Sequence, residues 1–354
     1  MALLFEPLSI RSVQLKNRIA VSPMCEYSGE DGFTNDWHLV HLGSRAVGGA
    51  GLIITEACAV APEGRITAHD IGIWKDAHID NLKRITDFIK GQGAVAGIQL
   101  AHAGRKASCA QPWKGGHQIP IAEGGWQIVA PSAVPFKEGT MIPAALSKDD
   151  IGQLIKDFTL AAHRAWKAGF QVVEIHAAHG YLLHEFYSPL SNFRTDEYGG
   201  SFDNRIRLLI EIIQSVQTVW PADLPLFVRI SSTDWVEGGW GIEDSVKLAQ
   251  KLKSLGVDLM DCSSGGNIGH AQIPVAPGYQ VAFAQQIKKE AGILTGAVGM
   301  ITDPHQAETI LANGEADLIL LARELLRDPY FPLHAASALQ QDIPWPLQYE
   351  RAKK

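Results

Sequence analysis

Two histidines and a tyrosine stand close together in the motif His176-Ala-Ala-His179-Gly-Tyr181. Imidazoles can donate hydrogen bonds to a carbonyl oxygen, and a phenol can deliver a proton in general acid catalysis. Histidine pairs also bind zinc, although this motif offers no carboxylate ligand beside them. A third interpretation makes both histidines core residues that bond to the backbone. The motif favours carbonyl binding with proton transfer and leaves the other two interpretations open.

Two cations follow apolar runs of the sequence. Lys106 and Arg229 would point into one cavity if these runs were neighbouring strands. Two cations in one cavity need an anionic guest, either a substrate or a cofactor that becomes negative on reduction. Lys106 could instead form a Schiff base, as lysines of barrel aldolases do. Either side chain could also be an ordinary surface charge.

A phosphate site is the next candidate. Gly296 and Gly299 lie in the seventh apolar run, and Arg323 ends the eighth. Glycine lets the backbone approach an anion closely, and Arg323 stands where a helix N-terminus would begin. The alternative is that the glycines only permit tight strand packing and that Arg323 forms a surface ion pair.

The four cysteines, Cys25, Cys58, Cys109 and Cys262, are far apart and form no C-x-x-C pair. Neither a zinc ribbon nor a disulfide framework is indicated, and reduced thiols predict a cytoplasmic protein. Cys25 follows the first apolar run, but nothing in the sequence supplies a base for it. The pattern therefore favours a small buried hydrophobic residue at this position, and a structural role for the other three.

Eight short apolar runs alternate with longer amphipathic stretches. Most of the runs are continuously apolar and rich in Val and Ile, as expected for parallel strands buried on both faces. The runs are residues 18–24, 51–60, 95–102, 172–179, 226–231, 259–264, 294–300 and 318–323.

Helix ends can be read between these runs. Ser147 is followed at the third position by the acid Asp150, as in a capping box, and Asp303 precedes a proline at a first helical position. The predicted helix starts are Asp76, Ser147 and Asp303, and the predicted ends are Gly91, Gly169 and Gly314.

Eight strands, each followed by a helix, form either a closed barrel or a doubly wound sheet. No G-x-G-x-x-G follows the first run, which argues against a dinucleotide fold. Polar and reactive residues collect at the carboxyl ends of the runs, where barrel enzymes place their active sites. We therefore expect one α/β domain over residues 1–354, a (β/α)8 TIM barrel whose extended loops, residues 103–146 and 181–201, lie on its C-terminal face.

Composition limits the classes of partner. The 354 residues are 46% hydrophobic and carry a formal net charge of -7 without any block of Lys and Arg. This charge pattern gives no footprint for nucleic acid or for an anionic membrane. No apolar run approaches the roughly 20 residues that cross a bilayer, and the amino terminus has no basic region before an apolar stretch. We expect an intracellular protein with a small-molecule partner.

Several segments resemble the old yellow enzymes, in particular the thermophilic-like bacterial branch of NADPH dehydrogenases. The resemblance runs from about Leu4 to Arg351. The matching segments are residues 17–25 (NRIAVSPMC), 98–106 (IQLAHAGRK), 175–182 (IHAAHGYL), 188–192 (SPLSN), 194–201 (RTDEYGGS), 261–264 (DCSS) and 322–329 (ARELLRDP).

The resemblance implies an FMN-dependent, NADPH- or NADH-consuming ene-reductase, with FMN over the barrel mouth. Arg229 would lie near the N1/O2 edge of the flavin and stabilise its reduced anion. The residues implied around the ring are Ser22, Pro23, Met24, Ala57 and Gln99, and those on the phosphate are Gly299 and Arg323. Where the family usually has a glycine before the phosphate arginine, this chain has Ala322.

The same resemblance assigns the substrate site. His176 and His179 would grip the carbonyl oxygen of an α,β-unsaturated substrate, and Tyr181 would protonate its α-carbon after hydride arrives at the β-carbon. The resemblance also overturns the structural interpretation of Cys25, which it implies tunes the flavin potential and touches substrate beside Tyr27. Enones, enals, maleimides, nitro compounds, quinones and phenolic ligands are the implied guests of a pocket that works in a ping-pong cycle.

Residues 348–351 (QYER) resemble an arginine finger that enters a neighbouring subunit's site. This implies a homodimer or homotetramer in which Arg351 acts in trans.

Three other functions stay open: a lyase or isomerase using Lys106, a flavin- or phenol-binding protein without catalysis, and a zinc hydrolase.

Overall fold

A computed structural model describes residues 2–353, and eight parallel strands in it close into a barrel. The strands of the chain are β1 (Leu8–Ile10), β2 (Val13–Leu15), β3 (Ile19–Val21), β4 (Leu52–Ala59), β5 (Val95–Ala101), β6 (Val129–Ala130), β7 (Ala144–Ala145), β8 (Val172–Ala177), β9 (Leu226–Ser231), β10 (Leu259–Ser263), β11 (Leu294–Ala297) and β12 (Leu318–Leu321). Around the barrel the order is β3-β4-β5-β8-β9-β10-β11-β12, and β12 pairs with β3 to close it. The predicted (β/α)8 barrel is confirmed.

Helices separate successive barrel strands. They are α1 (Asp36–Val47), α2 (His78–Gly91), α3 (Lys148–Lys167), α4 (Leu182–Tyr187), α5 (Phe202–Arg205), α6 (Arg207–Gln217), α7 (Ile242–Ser254), α8 (Val281–Ala291), α9 (Pro304–Ala312), α10 (Arg323–Arg327) and α11 (Phe331–Ala338). Among residues 2–353, no helix combines the length and the apolar character that crossing a membrane requires.

Two of the three predicted helix starts are confirmed and one is wrong. Ser147 and Asp150 form the reciprocal bonds of a capping box, and Asp303 accepts hydrogen bonds from the amides of His305 and Gln306. Helix α2, however, begins at His78 without a side-chain cap, because the Asp76 carboxylate instead pairs with Arg164 of α3 at 2.7 Å.

The barrel strands are shorter than several predicted runs. Strand β3 ends at Val21, three residues before the predicted end, and β11 ends at Ala297, also three residues early. The predicted runs are longer than the strands because the chain leaves the hydrogen-bond ladder at the barrel rim while remaining mostly apolar. The residues beyond each ladder are the ones that line the mouth.

The barrel interior is apolar near the amino ends of the strands and polar nearer their carboxyl ends. Its lower part is filled by inward-facing side chains of the eight strands, and the hairpin of β1 and β2 adds apolar side chains to the same cluster at the amino ends of the strands. Burying this cluster stabilises the fold by roughly 25 cal/mol per Å² of apolar surface. One layer higher, towards the mouth, the inward-facing residues are Gln99, Glu174, Arg229 and Asp261.

Long loops cover the rim at the carboxyl ends of the strands. Residues 103–146 carry β6 and β7, which pair with each other, and residues 181–201 begin with α4, which contacts β6. The extended loops on the C-terminal face are therefore confirmed. The C-terminal segment runs along the opposite end, where residues 342–348 line a cavity of about 600 Å³ together with Lys16 and Gln92.

Candidate active site

His176 and His179 converge at the mouth of the barrel. His176 lies on β8 with 3% of its surface exposed, and Nε2 of its ring is 3.4 Å from Nδ1 of His179. A single oxygen atom can lie about 2.9 Å from both nitrogens at this separation, which is a normal hydrogen-bond distance. The pair is therefore spaced to hold one oxygen from two sides.

The hydrogen-bond network allows both rings to donate to one oxygen at this point. Ser263 Oγ lies 2.6 Å from Nε2 of His179, and when its hydroxyl donates there the imidazole proton is on Nδ1. Nδ1 of His176 is buried without a partner, so a proton there would be an unsatisfied donor. The His176 proton accordingly sits on Nε2, facing Nδ1 of His179.

Both imidazoles are neutral. Burial, followed by the positive charge of Arg229, holds the pKa of His176 and the pKa of His179 well below the ordinary value for histidine. Neutral donors can polarise a carbonyl oxygen without giving up a full proton to it. The site therefore provides hydrogen bonds to the oxygen and leaves proton delivery to another group.

The backbone of His179 is strained and held in place. Its φ is +59°, a left-handed conformation that costs a residue other than glycine free energy. Its amide donates to Ser231 Oγ at 2.9 Å, and the next amide, of Gly180, donates to Nδ1 of His184 at 2.9 Å. The other ring nitrogen of His184 is 2.8 Å from the buried carboxylate of Asp234. This chain of bonds fixes the turn that aims His179.

Tyr181 lies directly beside the histidine pair. Its ring is edge-on to that of His176, with 5.2 Å between centroids. Burial, followed by the influence of Cys25, raises the pKa of Tyr181 well above that of an ordinary phenol. Tyr181 therefore keeps its proton and can act as a general acid.

Lys106 faces the ring of Tyr181, with Nζ 5.0 Å from the ring centroid. Nζ donates to the backbone oxygens of His179 at 2.8 Å and Gly266 at 3.0 Å, and burial lowers the pKa of Lys106 to about 8. These bonds connect two rim loops. They give the amine a role in holding the loops and disfavour its use as a Schiff-base nucleophile.

Cys25 and Tyr27 lie on the loop after β3. Burial, followed by the charges of Asp70 and Glu56, raises the pKa of Cys25 well above its ordinary value, so the thiol stays protonated. Tyr27 has a φ of +48°, and its carbonyl accepts from Gln111 at 2.9 Å. The Glu56 carboxylate accepts the amide between them, that of Glu26, at 3.0 Å. The loop is thus held in one conformation facing Tyr181.

A cation-lined cavity of about 270 Å³ opens beside the histidines. Arg229, Gly299 and Arg323 all line it, as the sequence predicted. Arg323 is exposed at the start of α10 and forms no ion pair within residues 2–353, whereas Arg327 pairs with Glu324. An unpaired guanidinium beside a helix start suits a phosphate group.

The backbone around this cavity fits close approach of an anion. Gly299 has a φ of +119°, and a Cβ atom there would lie 2.8 Å from Nε2 of Gln280. Ala322 has a φ of −105°, so alanine in place of the family's usual glycine meets no left-handed strain.

Buried polar atoms also surround the mouth. Ser22 Oγ forms no hydrogen bond within the described part of the chain, and Nε of Arg229 faces Oδ2 of Asp261 at 3.1 Å. Ala57 and Gln99 are direct neighbours on β4 and β5, next to a register shift in β4, while Pro23 and Met24 are half-buried after β3. These donors and apolar walls fit a flat polar ring system such as a flavin.

Arg351 stands apart from these residues. It is exposed in the 3-10 segment Leu347–Ala352, and the segment before it packs at the amino ends of the strands. The structure therefore does not bring Arg351 to the mouth of its own barrel.

Sequence reasoning did not find several residues that shape the site. His184, Asp234, Ser231 and Gln280 act through the backbone or through other side chains. Their roles depend on contacts between segments far apart in the chain, and no local pattern marks such contacts. Ser263 was found only as one of several polar residues at strand ends.

Comparison with known proteins gives consistent matches. The NADH:flavin oxidoreductase / NADH oxidase family matches residues 3–342. An NADPH dehydrogenase of Bacillus subtilis (strain 168) is 53% identical over 350 residues, which cover 98% of each chain. A morphinone reductase solved with tetrahydroNAD is 27% identical, with a TM-score of 0.79 over 97% of this chain and 93% of that chain. A 2-naphthoyl-CoA reductase solved with 2-naphthoyl-CoA is 26% identical, with a TM-score of 0.86 over 96% of this chain, which spans about half (52%) of that protein's length.

A closed parallel barrel with its polar side chains and an anion cavity at the mouth has the architecture of a TIM-barrel enzyme. The chain belongs to the NADH:flavin oxidoreductase / NADH oxidase family. It is therefore an oxidoreductase with FMN as cofactor and a nicotinamide nucleotide as reductant, and its resemblance to the bacterial old yellow enzymes is confirmed.

Proposed function

We propose that this protein is an ene-reductase that uses NADPH or NADH to reduce the activated C=C bond of α,β-unsaturated carbonyl compounds. The observation that carries the proposal is the 3.4 Å separation of two neutral imidazole nitrogens beside a protonated phenol. A carbonyl oxygen is the group that two neutral donors at this spacing bind. Enals, quinones, nitro compounds and phenols offer an oxygen to the same two donors.

In this proposal each residue has a separate task. Bound FMN, reduced by the nicotinamide, supplies a hydride for the β-carbon of the substrate. His176 and His179 hold the carbonyl oxygen and withdraw electron density from the double bond. Tyr181 then protonates the α-carbon, and its raised pKa keeps the proton in place until carbon needs it. Cys25 and Tyr27 line the opposite side of the pocket.

The cofactor would be held by residues of six barrel strands and the loops that follow them. Arg229 would provide positive charge at the flavin edge, and Gly299 and Arg323 would receive the phosphate; the cation-lined cavity supports this assignment. Ser22, Pro23, Met24, Ala57, Cys25 and Gln99 would surround the ring system. We propose that residues 1–354 act as one FMN-binding barrel domain in this way.

We further propose that two or four copies assemble and that Arg351 completes the site of a neighbouring subunit. The proposal is supported by the exposure of Arg351 and by its position away from its own barrel mouth. Mixing Arg351→Ala subunits with His176→Ala subunits tests it, because mixed oligomers would regain some sites with all residues intact.

The four free cysteines support a cytoplasmic location as a proposal.

The test of the ene-reductase proposal is product analysis with cyclohexenone in deuterated water. NADPH consumption should yield cyclohexanone with solvent deuterium at the α-carbon. His176→Ala should bind simple phenols and the enone at least about tenfold more weakly, because one of two hydrogen bonds to the oxygen is lost, while FMN stays bound. Unchanged enone, or loss of FMN from His176→Ala, would contradict the proposed roles.

A further inference from the structure

The polar layer below the mouth contains two carboxyl groups and one guanidinium. Glu174 and Asp261 are fully buried, and Arg229 is 5% exposed. Nε of Arg229 lies 3.1 Å from Oδ2 of Asp261, and no other basic side chain within residues 2–353 forms an ion pair with either carboxyl group. The layer is therefore one positive charge short of compensating both carboxylates.

The two carboxyl groups have different surroundings. Asp261 on β10 faces Arg229 on the neighbouring strand β9. Glu174 on β8 accepts a hydrogen bond from the neutral amide of Gln99 at 2.8 Å through Oε1, and its Oε2 has no partner. Burying an ionised carboxylate without a compensating cation is unfavourable, so the group without a cation is the one that keeps a proton.

Charges around Glu174 act in the same direction. Burial, followed by the Asp261 carboxylate, raises the pKa of Glu174 to about 8, although Arg229 opposes this shift. His176, two residues along β8, is neutral and offers no compensating charge. Burial also raises the pKa of Asp261, but Arg229 opposes that shift, so Glu174 is the carboxyl group of this pair that changes charge just above neutral pH.

We propose that Glu174 is a redox-linked proton site beneath the cofactor: in alkaline solution it is ionised while FMN is oxidised, and it takes up a proton when FMN is reduced. The inference rests on the proposed placement of FMN against Arg229. A hydride from the nicotinamide brings two electrons and one proton, so the cofactor gains one negative charge. That charge disfavours the nearby Glu174 carboxylate, which binds a proton from water at Oε2. Only this O–H bond forms, and hydroxide remains in solution.

The number of protons taken up can be read from the midpoint potential of bound FMN. For a two-electron reduction, a tenfold change in the equilibrium constant is about 30 mV, so one proton gives about 30 mV per pH unit and two give about 59 mV. The holoenzyme should show a slope near 30 mV at about pH 7 that becomes steeper above about pH 8. Glu174→Gln keeps the Oε1 acceptor for Gln99 but cannot titrate, and its slope should stay near 30 mV throughout.

Glu185 provides the matched control. It is also fully buried, and burial raises its pKa to about 8, but it lies on α4 and accepts from the amide of Arg105. Glu185→Gln should therefore retain the steeper slope of the parent protein. Proton uptake during anaerobic reduction, followed with a pH indicator in the unmodified holoenzyme, provides a measurement that needs no variant.

Two results would overturn the inference: a slope near 30 mV over the whole range in the unmodified holoenzyme, or a Glu174→Gln profile as steep as that of the parent. The proposed function fails by a different observation, because a protein that binds FMN yet does not reduce an enone contradicts the ene-reductase assignment whatever the slope. The inference is supported if the slope of midpoint potential against pH steepens in the parent and in Glu185→Gln but not in Glu174→Gln. This result supports the proton site and leaves the ene-reductase proposal to its own test.

Discussion

Ser263 Oγ lies 2.6 Å from Nε2 of His179, and this contact decides which nitrogen of the ring carries the proton. The hydroxyl has one proton to give. Gln280 Oε1 lies farther away, at 3.4 Å, and already accepts from Ser264 at 2.6 Å. When an oxygen accepts from both imidazoles, Ser263 donates to His179, and Nδ1–H points towards the substrate position.

Ser263→Ala should weaken the binding of simple phenols about fivefold. The substitution removes a hydrogen bond of about 1 kcal/mol that selects the productive tautomer of His179. Titrating the flavin absorbance with a phenol measures the effect. Ser264→Ala is the matched control, because its hydroxyl bonds to Gln280 and makes no hydrogen bond with His179. Equal weakening in both variants would show that the tautomer is not the cause.

Tyr181→Phe should separate the two half-reactions. Reoxidation of the reduced enzyme by an enone needs the phenolic proton and should slow about a hundredfold, the usual size of a general-acid contribution. Reduction by NADPH needs no proton from this residue and should change little. Stopped-flow measurement of each half-reaction under anaerobic conditions tests the assignment. Equal slowing of both steps would indicate a role in binding or positioning instead.

Arg323→Gln should weaken the binding of FMN about tenfold or more while leaving the binding of riboflavin unchanged. The guanidinium of Arg323 forms no ion pair within residues 2–353 and lines the proposed phosphate cavity, so only the ligand that carries a phosphate can lose this contact. Arg327→Gln serves as the control, since Arg327 is already paired with Glu324. The dissociation constants follow from quenching of flavin fluorescence. A parallel loss for riboflavin would place Arg323 elsewhere than on the phosphate.

The protein should become less stable as the pH rises, because the buried carboxyl group of Glu185 ionises. Burial raises the pKa of Glu185 to about 8, against 4.5 for the unshifted group. The folded state then binds more protons than the unfolded state between these values, so stability present below about pH 4.5 is lost as pH rises towards 8. Glu185→Gln cannot titrate and should lose less stability between pH 5 and 8, by up to a few kcal/mol. Urea unfolding at both pH values measures the difference, and equal losses in both proteins would contradict the assigned pKa.

The barrel could be predicted because its strands are buried on both faces. Such strands are continuously apolar, and their alternation with amphipathic helices leaves few folds to consider. The same continuity hides which residues face inwards, since no period of two distinguishes the two sides. The buried layer of Glu174 and Asp261 therefore went unnoticed, although both acids interrupt otherwise apolar strands.

The ends of the elements and the support of the site depend on long-range contacts. Asp76 has the residue type of a helix cap, but its bond to Arg164, 88 positions away, determines its position. The tautomer of His179 depends on Ser263, 84 positions away, and the turn at Gly180 depends on the His184–Asp234 pair. The convergence of His176, His179 and Tyr181 could be predicted, because the barrel fold brings every strand end to one rim.

The most direct test of the account is the visible spectrum of the purified protein under anaerobic conditions, recorded before and after NADPH and again after cyclohexenone. Flavin absorbance should bleach with NADPH and return when the enone is added, because the donors of His176 and His179 and the proton of Tyr181 allow the hydride to pass to the substrate. A flavin that bleaches with NADPH but stays reduced in the presence of the enone would contradict the proposed ene-reductase activity.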